Sequence, residues 1–193
     1  MKIGVLALQG AFREHACMLA DLGAQTVLVK LKSHLDGLDG LVVPGGESTS
    51  IGKLLREYDL IAPIREMVDE GLPVFGTCAG MIVMANRIHG GEEPHLGIMD
   101  VEVNRNSFGR QKESFETDLE VPKLGADPFP AVFIRAPHIV RIGPEVEVLS
   151  QLDDKIVAVQ QGNKLAVSFH PELTNDNRVH EYFVNLIKQA SIK

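Results

Sequence analysis

The chain has 193 residues, 45% of them hydrophobic, and a formal net charge of −7. This length supports one domain with a full core, spanning residues 1–193, and is too short for two domains of ordinary size. Positive and negative charges are interspersed without a basic block, which argues against a nucleic-acid partner.

Cysteine content and hydropathy indicate the compartment. Cys17 and Cys78 are the two cysteines, so a disulfide framework is not expected and the reducing cytoplasm is the natural location. The apolar run at 2–8 is too short for a secretory signal and lacks a small-residue cleavage site. We find no apolar stretch long enough to span a bilayer, so no membrane association is expected.

The first half of the chain alternates short apolar runs with segments of helical periodicity. We predict strands at 3–8, 26–29, 40–43 and 73–75, and helices at 12–20, 48–58, 60–70 and 78–88. The unbroken apolar runs are typical of strands that are buried on both faces of a parallel sheet. The alternation of strands and helices therefore predicts an α/β fold with an open, mostly parallel central sheet flanked by helices.

From residue 97 to residue 169 the pattern changes to short strands separated by Gly, Pro and Asn. We predict these strands at 98–103, 131–134, 146–149, 156–160 and 165–168. They indicate additional antiparallel or mixed strands. A final helix carries apolar residues at i, i+3, i+4 and i+7 from Val179 to Ala190, which predicts that it packs on the sheet.

The turn Gly76-Thr-Cys78-Ala-Gly80 joins a predicted buried strand to an amphipathic helix. Small residues on both sides of Cys78 allow a sharp bend that exposes its side chain, as in a nucleophile elbow. Unpaired N–H groups at the start of the helix favour a thiolate. From this stretch alone a buried structural cysteine is the preferred alternative, since free cysteine is often a small buried hydrophobe.

His170-Pro171-Glu172 directly follows the strand predicted at 165–168. In extended chain, residues two apart project to the same side, so Glu172 can orient the imidazole while Pro171 stiffens the link. An imidazole can take a proton from a thiol, and a carboxylate on its other nitrogen stabilises the resulting cation. A surface ion pair is the alternative interpretation.

Pro44-Gly-Gly46-Glu-Ser48 also follows a strand and precedes a helix. Paired glycines let the backbone turn its N–H groups into a site, which suits an oxyanion hole shared with the N–H of Ala79. A helix-capping turn that uses Ser48 is compatible with this role. A phosphate-binding loop is rejected, because the glycine spacing is one residue too long and Leu54 occupies the position of the metal-binding hydroxyl.

These three motifs, in this order and on this chain length, resemble a class I (triad) glutamine amidotransferase domain, which implies a flavodoxin-like α/β fold. Four longer segments resemble the glutaminase subunits of pyridoxal 5'-phosphate synthases. They are LQGAFREH at 8–15, RNSFGR at 105–110, FIRAPHI at 133–139 and FHPELT at 169–174. The resemblance therefore runs over almost the whole chain.

The resemblance implies a reaction in which L-glutamine is hydrolysed to L-glutamate and ammonia. Cys78 would attack the carboxamide, and backbone N–H groups around Gly46 and Ala79 would hold the oxyanion. His170 would protonate the departing ammonia and then activate water, while Glu172 aligns the ring.

The resemblance also implies a glutamine pocket. Its lining is carried over to Gly46, Glu47, Ser48, Arg105, Ile134 and Arg135. An arginine suits the α-carboxylate, because its planar fork matches two oxygens. From the sequence alone, Arg105 and Arg135 are equally well explained as surface charges.

A partner subunit is expected because free ammonia is largely protonated in water and must reach a shielded acceptor. The resemblance identifies that partner as the synthase subunit, with which the glutaminase works well only when docked. Pyridoxal 5'-phosphate is then the product of the complex, and the chain needs no cofactor and no metal.

Two other interpretations stay open. A γ-glutamyl hydrolase of similar fold would use the same cysteine and histidine without a partner, and a catalytically silent binding subunit would use neither. Outside the motifs, we expect Cys17 to be packed in the first helix and His15 to have a helix-surface or docking role. We find no metal-ligand spacing at His89, His95, His138 or His180.

Overall fold

The computed structural model describes residues 1–105 and 114–191. Its strands are β1 (Lys2–Leu6), β2 (Gln25–Val29), β3 (Gly40–Val43), β4 (Val74–Thr77), β5 (Ala85–Ile88), β6 (Met99–Asn104), β7 (Ser114–Leu119), β8 (Phe129–Ile134), β9 (His138–Ile142), β10 (Glu147–Leu152), β11 (Lys155–Gln161) and β12 (Lys164–Val167). Its α-helices are α1 (Phe12–Asp21), α2 (Ser48–Glu57), α3 (Ile61–Asp69), α4 (Ala79–Met84) and α5 (Arg178–Ala190).

The main sheet has the strand order β2-β1-β3-β4-β12-β11-β9-β6-β5, with β10 paired to β11 beside this path. Neighbours from β2 to β12 are parallel, and so are β5 and β6. Strand β11 is antiparallel to its neighbours β9, β10 and β12, and β7 and β8 form a separate antiparallel pair. The expected combination of a parallel sheet with additional antiparallel strands is confirmed.

Successive residues of the parallel strands face opposite sides of the sheet. Leu41 and Val43 belong to one hydrophobic cluster, whereas Val42 belongs to the other. Helices α2, α3 and α4 contribute to the first cluster, and α1 and α5 to the second. Both faces of the sheet are therefore covered, which explains the unbroken apolar runs. Among the helices of the described ranges, none combines the length and apolar character needed to cross a bilayer.

The helix predicted at 78–88 is too long. In the structure it ends at Met84, and Ala85–Ile88 is strand β5, which pairs in parallel with β6. The N–H groups of Leu96 and Ile98 donate to the carbonyls of Val83 and Met84, at 2.9 Å each. These carbonyls are the ones that a continuing helix would use, so the returning chain ends the helix.

Strands β7 and β9 were not predicted from the sequence. In β7, Phe115, Thr117 and Leu119 alternate with polar residues, which is the pattern of a half-buried strand. Strand β9 is short and begins at a histidine, and it is stabilised by pairing with both β6 and β11. Its existence therefore depends on neighbours that are far away in sequence.

The topology brings the three sequence motifs to one edge of the sheet. Strands β3 and β12 lie on the two sides of β4, and both are parallel to it. Their carboxyl ends meet at the same edge, as is usual for active sites of open α/β sheets. The glycine loop follows β3, Cys78 follows β4, and His170 follows β12.

Candidate active site

Cys78 lies in a sharp turn between β4 and α4. Its backbone has φ 50° and ψ −110°, a positive φ that non-glycine residues rarely adopt. The flanking glycines are needed for close packing. A Cβ atom on Gly80 would overlap the carbonyl oxygen of Val43, and one on Gly76 would lie 2.8 Å from the carbonyl carbon of Gly80. The predicted elbow is therefore present, with Cys78 at its apex.

Cys78 and His170 both lie close to Gly45. A Cβ atom on this glycine would be 3.2 Å from the Cys78 Cβ and 2.7 Å from the His170 Cε1. Burial lowers the pKa of His170, but hydrogen bonds with Cys78 and Glu172 outweigh it and raise the pKa to about 10. The imidazole can therefore take the thiol proton and hold it as an imidazolium beside the thiolate.

Glu172 orients His170 from behind. Its Oε1 lies 2.6 Å from Nδ1 of the ring, and both side chains are buried, so the surface ion pair is ruled out. The extended backbone predicted for this segment is wrong, because Pro171–Leu173 forms a 3-10 helix. Proline suits the first position of such a turn, since its fixed φ is helical. The turn brings Glu172 back to its own histidine.

The glycine loop ends at the first turn of α2, where Glu47 is the N-cap. Its carboxylate accepts hydrogen bonds from the N–H groups of Thr49 and Ser50, at 3.1 and 2.7 Å. Burial raises the pKa of Glu47, but these hydrogen bonds dominate and lower it to about 2. The predicted capping role of Ser48 is wrong. Its hydroxyl is buried and, among the described residues, has no hydrogen-bond partner.

One cavity of about 410 Å³ collects the candidate residues. It is lined by Gln9, Gly46, Glu47, Ser48, Cys78, Ala79, Ile82, Arg105, Ile134, Arg135 and His170. Except for Glu172, which lies behind His170, every candidate site residue lines it. Within residues 1–105 and 114–191, His, Cys, Asp and Glu side chains form no group of three that could hold a metal ion.

The two candidate arginines differ in their surroundings. The Arg105 guanidinium lies 3.1 Å from Glu47 Oε1 and 3.0 Å from Thr49 Oγ1, and it also pairs with Glu92. Arg135 is exposed at the cavity rim with a positive φ of 42°. Of the motif at 105–110, Arg105 is described, and 106–110 lie outside the described residues.

Two polar residues beside the site were not recognised from the sequence. Gln9 Oε1 accepts a hydrogen bond from the N–H of Glu47 at 2.7 Å. His15 is fully buried, so the expected helix-surface or docking role is wrong. A signal was present, because His15 precedes the buried Leu19 by four residues and therefore shares its helix face. Cys17 lies on another face and is exposed, contrary to expectation.

Comparison with known proteins places this site in a family context. The model of the SNO glutamine amidotransferase family matches residues 5–189. The pyridoxal 5'-phosphate synthase subunit PdxT of Moorella thermoacetica is 57% identical over 187 residues, which cover 97% of this chain and 100% of that protein. The PdxT subunit of Geobacillus thermodenitrificans is 56% identical over 190 residues, which cover 98% and 97%.

Solved structures share this fold. A crystal structure described as a glutamine amidotransferase has a TM-score of 0.91 and 55% identity, and the match covers 96% of this chain and 98% of that one. A putative GMP synthase subunit from Thermoplasma acidophilum has a TM-score of 0.72 at 20% identity, covering 99% and 96%. The second similarity shows the shared fold alone.

Proposed function

We propose that this chain, which belongs to the SNO glutamine amidotransferase family, is the glutaminase subunit of a pyridoxal 5'-phosphate synthase. It hydrolyses L-glutamine to L-glutamate and ammonia, and the ammonia passes to a separate synthase subunit. The observation that carries this proposal is the alignment of Cys78, His170 and Glu172 beside one cavity. Relatives named as synthase subunits match this chain over nearly their full length.

The first step forms a tetrahedral intermediate on Cys78. The Cys78 thiol gives its proton to His170, and the sulfur attacks the side-chain carboxamide carbon of glutamine. The carbonyl oxygen becomes an oxyanion, which the backbone N–H groups of Gly46 and Ala79 stabilise. Ala79 is the first residue of α4, where N–H groups have no partner within the helix.

The second step releases the products. His170 gives its proton to the departing nitrogen, so that ammonia leaves and the γ-glutamyl thioester remains. The neutral ring then takes a proton from water, and the hydroxide attacks the thioester carbonyl. When the carbon–sulfur bond breaks, His170 returns this proton to the sulfur, so that glutamate leaves and the thiol is restored. Glu172 stabilises the imidazolium at each stage.

The cavity presents opposite charges to the α-carbon end of glutamine. Glu47 and Arg105 lie 3.1 Å apart at the cavity, so together they match the α-ammonium and α-carboxylate groups of a free amino acid. Ser48 adds a buried hydroxyl without a partner in the described ranges. Gly46, Ile134 and Arg135 complete the proposed glutamine pocket.

The proposed enzyme works in a complex, and that complex lies in the cytoplasm. Its partner is the synthase subunit, because ammonia released into water is largely protonated and lost as a nucleophile. Pyridoxal 5'-phosphate is the product of the complex, so this chain carries no cofactor of its own. The location is the cytoplasm, where reducing conditions keep Cys78 as a thiol.

The direct test is to trap the nucleophile with a diazo-ketone analogue of glutamine, in the presence and absence of the synthase subunit. We expect mass spectrometry to find the adduct on Cys78, and Cys78→Ala to abolish glutamine hydrolysis while synthase binding is retained. Cys17→Ala is the matched control, since this exposed cysteine should neither be labelled by the analogue nor affect the rate.

Three outcomes would contradict the proposal. Turnover of γ-glutamyl peptides without glutamine hydrolysis would favour a peptide hydrolase. Full activity of Cys78→Ala would exclude the thioester, and lack of any glutamine hydrolysis by the wild-type complex would favour a silent binding subunit.

A further inference from the structure

A chain of buried polar groups lies behind the proposed active site and has no part in the mechanism above. His15, Thr77 and His180 are each 0% exposed. The Nδ1 atom of His15 lies 2.8 Å from Nε2 of His180, and its Nε2 atom lies 3.0 Å from the Thr77 hydroxyl. The same Nε2 atom is 3.4 Å from Oε2 of Glu172.

His15 and His180, the two histidines among these buried polar groups, are neutral. Burial lowers the pKa of His15 well below its usual value, and the charges of His180 and His170 lower it further. Burial lowers the pKa of His180 to about 4. Neutral imidazole has one donor and one acceptor nitrogen, so their hydrogen bonds have a direction.

The carboxylate of Glu172 selects that direction. If His15 carried its proton on Nδ1, the lone pair on Nε2 would face Oε2 of Glu172 at 3.4 Å, which is repulsive. A proton on Nε2 removes this repulsion and donates to the Thr77 hydroxyl. The lone pair on His15 Nδ1 must then accept, so His180 carries its proton on Nε2.

Thr77 extends the chain to the glycine loop. Its hydroxyl oxygen accepts a hydrogen bond from the N–H of Gly45 at 3.2 Å, and its second lone pair can accept from His15. Gly45 immediately precedes the proposed oxyanion donor Gly46. His15 therefore contacts both the group that orients the base and the group that anchors the oxyanion loop.

We propose that His15 and His180 are positioning residues that fix Glu172 and the Gly45-Gly46 loop relative to each other. His180 donates from Nε2 to His15, and His15 donates from Nε2 to Thr77 beside Oε2 of Glu172. This inference rests on the proposed glutaminase function. It adds two positioning side chains to the three of the proposed catalytic triad. The two added residues are more than 150 residues apart in sequence.

The kinetic test compares His15→Leu with His15→Gln in the presence of the synthase subunit. His15→Leu should lower kcat by up to about 100-fold, because a small misplacement of catalytic groups has effects of this size. KM for glutamine should stay nearly constant, since His15 does not line the cavity. His15→Gln should recover most of kcat, because its amide N–H can take the place of Nε2–H.

The control for general loss of packing is Leu19→Ala. Leu19 is buried on the same face of α1, one turn after His15. Leu19→Ala should lower the free energy of unfolding, because it leaves a cavity in the core, while kcat of the folded protein stays close to that of the wild type. An equal loss of kcat in Leu19→Ala and His15→Leu, or wild-type kcat in His15→Leu, would overturn the positioning role.

A second measurement does not depend on activity or on any variant. Nitrogen-15 NMR of the wild-type protein should show both His15 and His180 as neutral rings protonated on Nε2. Protonation of His15 on Nδ1 would overturn the inference, even if His15→Leu fails to fold. Absence of glutamine hydrolysis in the wild-type complex would instead contradict the proposed function, while the NMR result would still decide the direction of the chain.

Discussion

At the scale of single residues, three buried histidines near the proposed active site show how surroundings decide protonation. All three are buried, and burial lowers the pKa of each. Only His170 gains enough from hydrogen bonds to Cys78 and Glu172 to have its pKa raised, to about 10. One histidine is therefore prepared to carry a proton, and the other two are prepared to donate and accept hydrogen bonds as neutral rings.

The neutral state of His180 makes the protein sensitive to acid. Its pKa is lowered from 6.5 to about 4 in the folded protein, so between these values the unfolded chain binds more protons and stability falls as the pH falls. Each pH unit is worth up to about 1.4 kcal/mol. Between pH 7.5 and pH 5, the wild type should lose about 2 kcal/mol more unfolding free energy than His180→Gln.

Denaturant titrations of both proteins at the two pH values measure this difference. The pH dependence of His170 cancels, because both proteins contain it. Leu28→Gln, at an exposed residue without a titratable group, is the control and should keep the wild-type slope. Identical slopes for the wild type and His180→Gln would contradict a neutral His180.

At the scale of secondary-structure elements, the site depends on a strand, a turn and a helix that are packed very closely. The helix α4 begins directly after Cys78 and is entirely buried. Gly80 in its first turn touches the end of β3, so the helix start and the glycine loop are adjacent. Cys78, directly before this closely packed helix, has a positive φ of 50°. Strain at this one residue presents its sulfur to the cavity.

The strain predicts an unusual order of stability. Both Cys78→Ala and Cys78→Gly remove the thiol, but glycine adopts positive φ without a steric cost. Relief of about 1–3 kcal/mol of strain exceeds the entropic cost of glycine, about 0.5–1 kcal/mol. Cys78→Gly should therefore be more stable than Cys78→Ala by roughly 1 kcal/mol.

Denaturant unfolding of the two variants checks this order. At Ala20, an exposed position of the regular helix α1, substitution by glycine should have the usual opposite effect and destabilise the protein. Equal stability of the two Cys78 variants, or greater stability of Cys78→Ala, would show that the elbow is unstrained.

At the scale of the whole molecule, the parallel order of β3, β4 and β12 assembles the site. The loops after these strands are separated by more than 30 and more than 90 residues along the chain, yet their ends lie at one edge of the sheet. The cavity at that edge is lined by the proposed nucleophile Cys78, the proposed base His170 and the proposed oxyanion donors Gly46 and Ala79. In the proposed complex, transfer of the ammonia then depends on how the synthase subunit contacts this edge of the sheet.

The proposed coupling to a synthase predicts two rates. Glutamine hydrolysis should be faster with the synthase subunit than without it, because docking completes and shields the site. In the complex with Cys78→Ala, pyridoxal 5'-phosphate should form from ammonium salts but not from glutamine. Equal hydrolysis rates with and without the synthase would remove the coupling, and synthesis from glutamine by the Cys78→Ala complex would remove the ammonia transfer.

Local patterns in the sequence predicted much of the fold and of the candidate site. Short unbroken apolar runs predicted the parallel strands, because strands covered on both faces have no polar side. The small residues around Cys78 predicted the elbow, because the backbone conformation depends on those residues themselves. The same local reasoning predicted that His170 and Glu172 directly follow a strand.

Only the tertiary structure decided features that depend on distant partners. The backbone around Pro171, the end of α4 at Met84 and the capping of α2 by Glu47 were each predicted differently from the sequence. The burial of His15 was also missed. Its partner His180 is 165 residues away, and a helical period shows which residues share a face but not what that face meets. The sequence by itself determined the reactive groups, whereas packing between remote segments decided how they are held.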